Sequence, residues 1–221
     1  MLSPEINIKT ILKEIRAKEN GPAVDAMDRM GLKYNRNFGV GLSDLKLIAA
    51  KYKPNHELAK ILRNKNIRET RLLAEMIEDS KMVSDELADE IVLQIDTNEL
   101  AEQGCLNLFQ KLDFADKKAD EWILSKHEYS IVCGFILFSR IALTDKNRGD
   151  DFFKSPIILS EDLANNKSIF IRKAIARALR QIALRNDNLK KQVLHITGKI
   201  KENQSEYSKL VIEEVVPLIN Y

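Results

Sequence analysis

The residues of this chain best able to do chemistry are concentrated in one stretch. Between Asn166 and Lys201 stand Lys167, Arg172, Lys173, Arg177, Arg180, Arg185, Lys190, Lys191, Lys199 and Lys201, against a single acid, Asp187. On a helix turning 100° per residue, Ile171, Ile175, Ala178 and Ile182 form an apolar stripe, and Lys173, Arg177 and Arg180 fall nearly opposite it. Three long cations on successive turns repel one another unless an anion lies against them, and a phosphate backbone supplies anions at helical spacing. The competing reading is a solvated face neutralised by acids of neighbouring segments, such as Glu161 or Asp162. A second, smaller basic group, Lys33, Arg36 and Lys46, flanks the loop from Tyr34 to Gly39.

Other chemistry is sparse. Glu102 lies one turn beyond Asn98 and could project inward, although a carboxylate near a helix start also serves the helix dipole. His56, His127 and His195 are far apart and form no metal-binding or triad motif, and no glycine-rich phosphate loop is present. We therefore expect neither metal nor cofactor. Cys105 and Cys133 stand apart in apolar surroundings and read as reduced core thiols. Trp122 falls at a core-facing position, where packing explains it. The net charge of +2 rules out a polycation, so attraction for nucleic acid must come from where the charges sit.

The elements that must position these residues are helical. Apolar residues recur at intervals of three and four, with almost no alternation of period two, and only 8 Gly and 5 Pro interrupt them. The pattern predicts helices at about 5–19, 22–31, 43–53, 55–64, 67–78, 84–94, 97–112, 116–125, 128–143, 149–164, 168–186, 187–202 and 204–219. Ser43, Ser84, Thr97 and Ser168 are expected to cap helix starts, and Pro4 and Pro22 to sit in first turns. Ala74, Gly104, Gly134 and Ala174 place a small residue in the middle of every second helix, at separations of 30, 30 and 40 residues. Close helix crossing requires such a residue. The period predicts an all-α, HEAT-like repeat solenoid of antiparallel helix pairs, an α-α superhelix forming one domain over 1–221. An irregular bundle with coincidental alanines is the alternative. No apolar run reaches the roughly 18 residues that span a bilayer, so we expect no membrane partner, a cytoplasmic location and a monomer.

The stretch Ile169-Phe170-Ile171-Arg172-Lys173-Ala174-Ile175-Ala176-Arg177-Ala178-Leu179-Arg180 resembles the F-F-I-x-K-A-I-G-W-x-L-R signature of the bacterial DNA alkylation repair glycosylases built from HEAT-like repeats. Ala26-Met27, Phe38-Gly39-Val40, Arg71-Leu72-Leu73-Ala74 and Trp122-Ile123 with Tyr129 resemble earlier parts of the same family, in order. The resemblance implies an enzyme that clasps double-stranded DNA in a concave basic cleft and releases N3- or N7-alkylated purines without swinging the base into a pocket. A W-x-x-x-D pair in that family supplies an aromatic face and a carboxylate that steadies the positive charge developing on the sugar.

Here that pair aligns with Asn98 and Glu102, and the family's central arginine falls on Val132 or Cys133. Its late tryptophan falls on Arg177 and its early tyrosine on Met30, while Arg180 is kept. The resemblance thus implies a divergent member of a base excision repair family. Lys173, Arg177, Arg180, Arg172, Lys33 and Arg36 are expected on DNA, with Glu102 as the candidate catalytic carboxylate and glycosylase activity altered or lost. A non-enzymatic helical-repeat scaffold whose ridge meets an acidic protein is the alternative function.

Overall fold

A computed structural model describes residues 4–203 and 205–219. Among the described residues there are thirteen α-helices and no strand. They are α1 (Pro4–Arg16), α2 (Gly21–Arg29), α3 (Leu42–Ala50), α4 (His56–Arg63), α5 (Arg68–Ile77), α6 (Asp85–Leu93), α7 (Asn98–Asn107), α8 (Ala115–Ile123), α9 (Glu128–Thr144), α10 (Lys154–Leu163), α11 (Ile169–Ala183), α12 (Asp187–Glu202) and α13 (Lys209–Ile219). Each corresponds to one expected helix.

Three starts carry the expected cap. The Ser168 hydroxyl accepts from the amides of Phe170 and Ile171 at 3.2 and 3.3 Å, Thr97 from Leu100 at 3.3 Å, and Ser84 from Leu87 at 3.2 Å. Ser43 is not a cap: extended backbone at Gly41 places the cap two residues earlier, which leaves Ser43 inside the first turn. Two continuous helices of the sequence reading are interrupted. The expected 97–112 helix ends at Asn107 and gives way to a 3-10 turn over Phe109–Lys111, and the expected 149–164 helix begins as a 3-10 turn over Asp150–Phe153.

The chain divides into two compact units, one of residues up to Leu87 together with Leu106–Leu112, the other of Ala88–Cys105 and the residues from Asp113 onward. In the first, α4 packs on α5, α3 on α5, and α1 on α3 and α4, around Ile11, Ile15, Leu45, Ile48, Leu58 and Leu72. In the second, α9 packs on α8 and α11, and α11 is further enclosed by α10, α12 and α13. Phe135, Phe138, Ile175, Leu179, Val193 and Val211 are fully buried there.

The small residues behave as close packing requires. Ala74, Gly104, Gly134 and Ala174 are all buried. A Cβ on Gly134 would lie 2.7 Å from Ile123 Cγ2, 2.8 Å from the Ile123 amide nitrogen and 3.0 Å from the Ala119 carbonyl oxygen, so α8 crosses α9 at a point that admits no side chain. Among the described residues, no helix is long and apolar enough to cross a membrane.

Candidate nucleic-acid interface

Helix α11 forms because its apolar positions repeat at helical spacing behind the Ser168 cap, and it is held because four helices cover its apolar side. The strip left open carries the cations. Lys173 is exposed, and Arg177 and Arg180 are half-buried. Lys173 to Arg180 spans about 10 Å of helix at 1.5 Å per residue, close to three steps of a DNA strand at 3.4 Å each.

Arg177 does not stand free. Its Nη1 donates to Glu102 Oε2 on α7 at 2.5 Å, with 36% of the arginine and 34% of the glutamate side chain exposed. Tertiary structure thus brings together two of the sequence-predicted site residues, 75 positions apart. Beneath them lie the thiols: Cys105 Sγ donates to the Cys133 carbonyl oxygen at 3.6 Å, and both cysteines are buried and unbridged. Burial, and then Cys133 itself, pushes the Cys105 thiol well above its ordinary value, so it stays protonated and uncharged. Val132 and Cys133, where the family resemblance puts an arginine, are wholly buried apolar positions.

Neighbouring cations have other duties. The Arg172 guanidinium donates to the carbonyl oxygens of Tyr207, Ser168 and Lys167 and lies 5.2 Å over the Tyr207 ring, so it braces the turn before α13 rather than joining the open strip. Arg185 donates to the carbonyls of Ala142, Asp145, Lys146 and Arg148. Lys199 pairs with Glu161 at 3.8 Å, which therefore does not neutralise the ridge. Among the described residues, Lys173 and Arg180 have no acidic partner.

The smaller basic group sits on a firmly built loop of the first unit. Lys33 and Arg36 are exposed, and the Arg36 guanidinium lies 4.9 Å over the Phe38 ring. The loop is tied down by Glu69, a fully buried carboxylate that accepts from the amides of Phe38 and Val40 at 3.2 Å and from Arg68 Nη1 at 3.0 Å. Gly39 takes φ +70°, and a Cβ there would meet the Asn20 carbonyl oxygen at 2.2 Å.

Other buried charges went unrecognised in the sequence. Lys118 is fully buried and donates to Asp89 and Glu121 at 2.8 Å each, while Trp122 Nε1 donates to Asp89 at 2.7 Å. Arg63 binds both Glu75 and Glu78, and Glu78 also holds His56 at 2.7 Å. One signal was available: Lys118 falls on the stripe of Ala115, Ala119 and Trp122, and Glu69 on that of Leu72, Leu73 and Met76, so both are charges at core positions.

These helix pairs, with a small residue at the crossing and a cationic strip on one helix, define the class of all-helical HEAT-like repeat proteins. A solved structure with TM-score 0.76 and 21% identity, covering 93% of this chain and 92% of its own, belongs to what is described as "a new family of proteins related to the HEAT-like repeat DNA glycosylases with affinity for branched DNA structures". The family model described as DNA alkylation repair enzyme matches residues 11–212. The chain therefore belongs to the DNA alkylation repair enzyme family. No curated protein matches it by sequence.

Proposed function

We propose that this protein binds DNA by its phosphate backbone, as a monomer in the cytoplasm, with glycosylase activity altered or lost. Lys173, Arg177 and Arg180 follow the backbone, and Lys33 and Arg36 add contacts of the same kind. The observation that carries this reading is the strip on α11, where two long cations without acidic partners among the described residues flank a third across successive turns. Such contacts read backbone position and shape rather than base identity. The structural relative's reported affinity for branched DNA makes four-way junctions a substrate to test alongside duplex.

The residues around Glu102 favour binding over excision. The carboxylate aligned with the family's catalytic aspartate is neutralised by Arg177, and the aligned aromatic positions are Asn98 and Arg177. A cationic base would find neither a free anion nor an aromatic face. A fluorescence anisotropy titration of labelled duplex and junction in rising salt tests the proposal. We expect log affinity to fall linearly with log salt with a slope of about −3.6 to −4.5, as for four or five neutralised phosphates; binding unaffected by salt would remove it. Incubation with methylated duplex should release free purine far below the rate of an active glycosylase, or not at all.

A further inference from the structure

Within the ridge, the middle cation differs from its neighbours. Arg177 engages one of its five N–H donors, on Glu102, and Glu102 in turn has Arg177 as its ion-pair partner. Roughly a third of each side chain is exposed, so an anion arriving from solvent can reach the pair. Below it lie the buried, unbridged Cys105 and Cys133, and the Cys105 thiol donates to the Cys133 carbonyl oxygen rather than to either group. One turn to either side, Lys173 and Arg180 have no acid among the described residues. Along the strip the local charge therefore runs positive, neutral, positive.

A phosphate drawn in by Lys173 and Arg180 thus meets a carboxylate already seated on the cation between them. We infer that Glu102 is an internal competitor for DNA: it occupies the phosphate position of Arg177 and thereby limits how tightly the ridge holds a backbone. This rests on the DNA-binding reading above. Exchanging Glu102 for a phosphate on Arg177 replaces one anion with another, so the contact adds little net affinity. Nor does stability account for the pair, since a half-exposed ion pair contributes little to folding. The released carboxylate also lies beside the incoming phosphate and repels it.

The test is a double-mutant cycle read by anisotropy on one short labelled duplex, with the intact chain, Glu102→Gln, Arg177→Ala and the combined variant. Glu102→Gln keeps shape and removes charge, so it should bind about five- to tenfold tighter at low salt. Its salt slope should steepen by about 0.9, one further phosphate. Arg177→Ala strips Glu102 of its partner and leaves a bare carboxylate between Lys173 and Arg180, so it should weaken binding several-fold, whereas the combined variant, lacking both charges, should bind close to the parent. The combined variant should lose the gain of Glu102→Gln. Affinity unchanged or weakened in Glu102→Gln, or a gain that survives in the combined variant, overturns the inference. Should Glu102→Gln fail to fold, Glu102→Ala decides: tighter binding with a steeper salt slope supports internal competition, and unchanged or weaker binding defeats it. Lys173→Glu with Arg180→Glu separates the two levels. If that variant loses binding, the DNA-binding reading stands whatever Glu102 does; if it binds unchanged, that reading fails and the inference with it.

Discussion

At the scale of single residues, the charges that matter most for folding are the buried ones, and each is defined by its partners. Glu69 holds a loop by accepting two amides, Lys118 bridges two carboxylates, and Arg63 joins Glu75 to Glu78. Glu75 is the least well served, because its Oε2 is buried without a hydrogen-bond partner. Burial raises its carboxyl above the ordinary range, with Arg63 opposing. A carboxyl raised on folding stabilises the native state below its unfolded value and loses that contribution as pH rises through the folded one. Glu75→Gln should therefore melt like the parent near pH 4 and at a higher temperature at pH 7 to 8. Calorimetry across that range checks this, and a variant less stable at neutral pH would show that the ion pair with Arg63 outweighs burial.

At the scale of elements, the two glycines in α9 and α12 illustrate how position decides the effect of one methyl group. Gly134 faces α8 with backbone atoms of Ile123 and Ala119 within 3.0 Å of any added Cβ, whereas Gly198 is exposed with nothing within 4 Å. Gly134→Ala should cost about 1–3 kcal/mol through overpacking against atoms that cannot rotate away. Gly198→Ala should stabilise by about 0.5–1 kcal/mol, since a mid-helix glycine loses backbone entropy on folding. Urea denaturation of both variants tests the contrast; equal effects would mean that α8 and α9 can slide apart. The interruptions at Leu108 and Phe153 belong to this scale too. Apolar periodicity continues across both, through Cys105, Leu108, Phe109 and Leu112 and through Phe152, Phe153 and Ile157, and periodicity alone therefore draws each as one helix.

At the scale of the molecule, family membership and the open strip on α11 combine into a prediction about charge. Reversing Lys173 and Arg180 to Glu should shallow the salt slope by about two, as expected for two lost phosphate contacts. The loss should be similar across DNA sequences, because backbone contacts carry no base information. Reversing Lys33 and Arg36 should weaken binding as well, with the same indifference to sequence. Anisotropy on two duplexes of unrelated sequence checks both expectations, and a sequence-dependent loss would point to contacts with base edges instead.

The helical class, the thirteen helices among the described residues and the buried small residue in the middle of each second helix were legible in the order of amino acids, because local periodicity and capping are short-range properties. So was the cationic stripe on α11, a matter of angle around one helix. What only tertiary structure decided is which of those cations remain available. Arg172 turned to carbonyls, that of Tyr207 among them, and Arg177 to a carboxylate 75 residues away, while Lys173 and Arg180 met no acid among the described residues. The physical reason is that an ion pair depends on distances of a few ångströms between side chains, and in a chain of stacked helices those distances are set by packing, not by separation along the sequence.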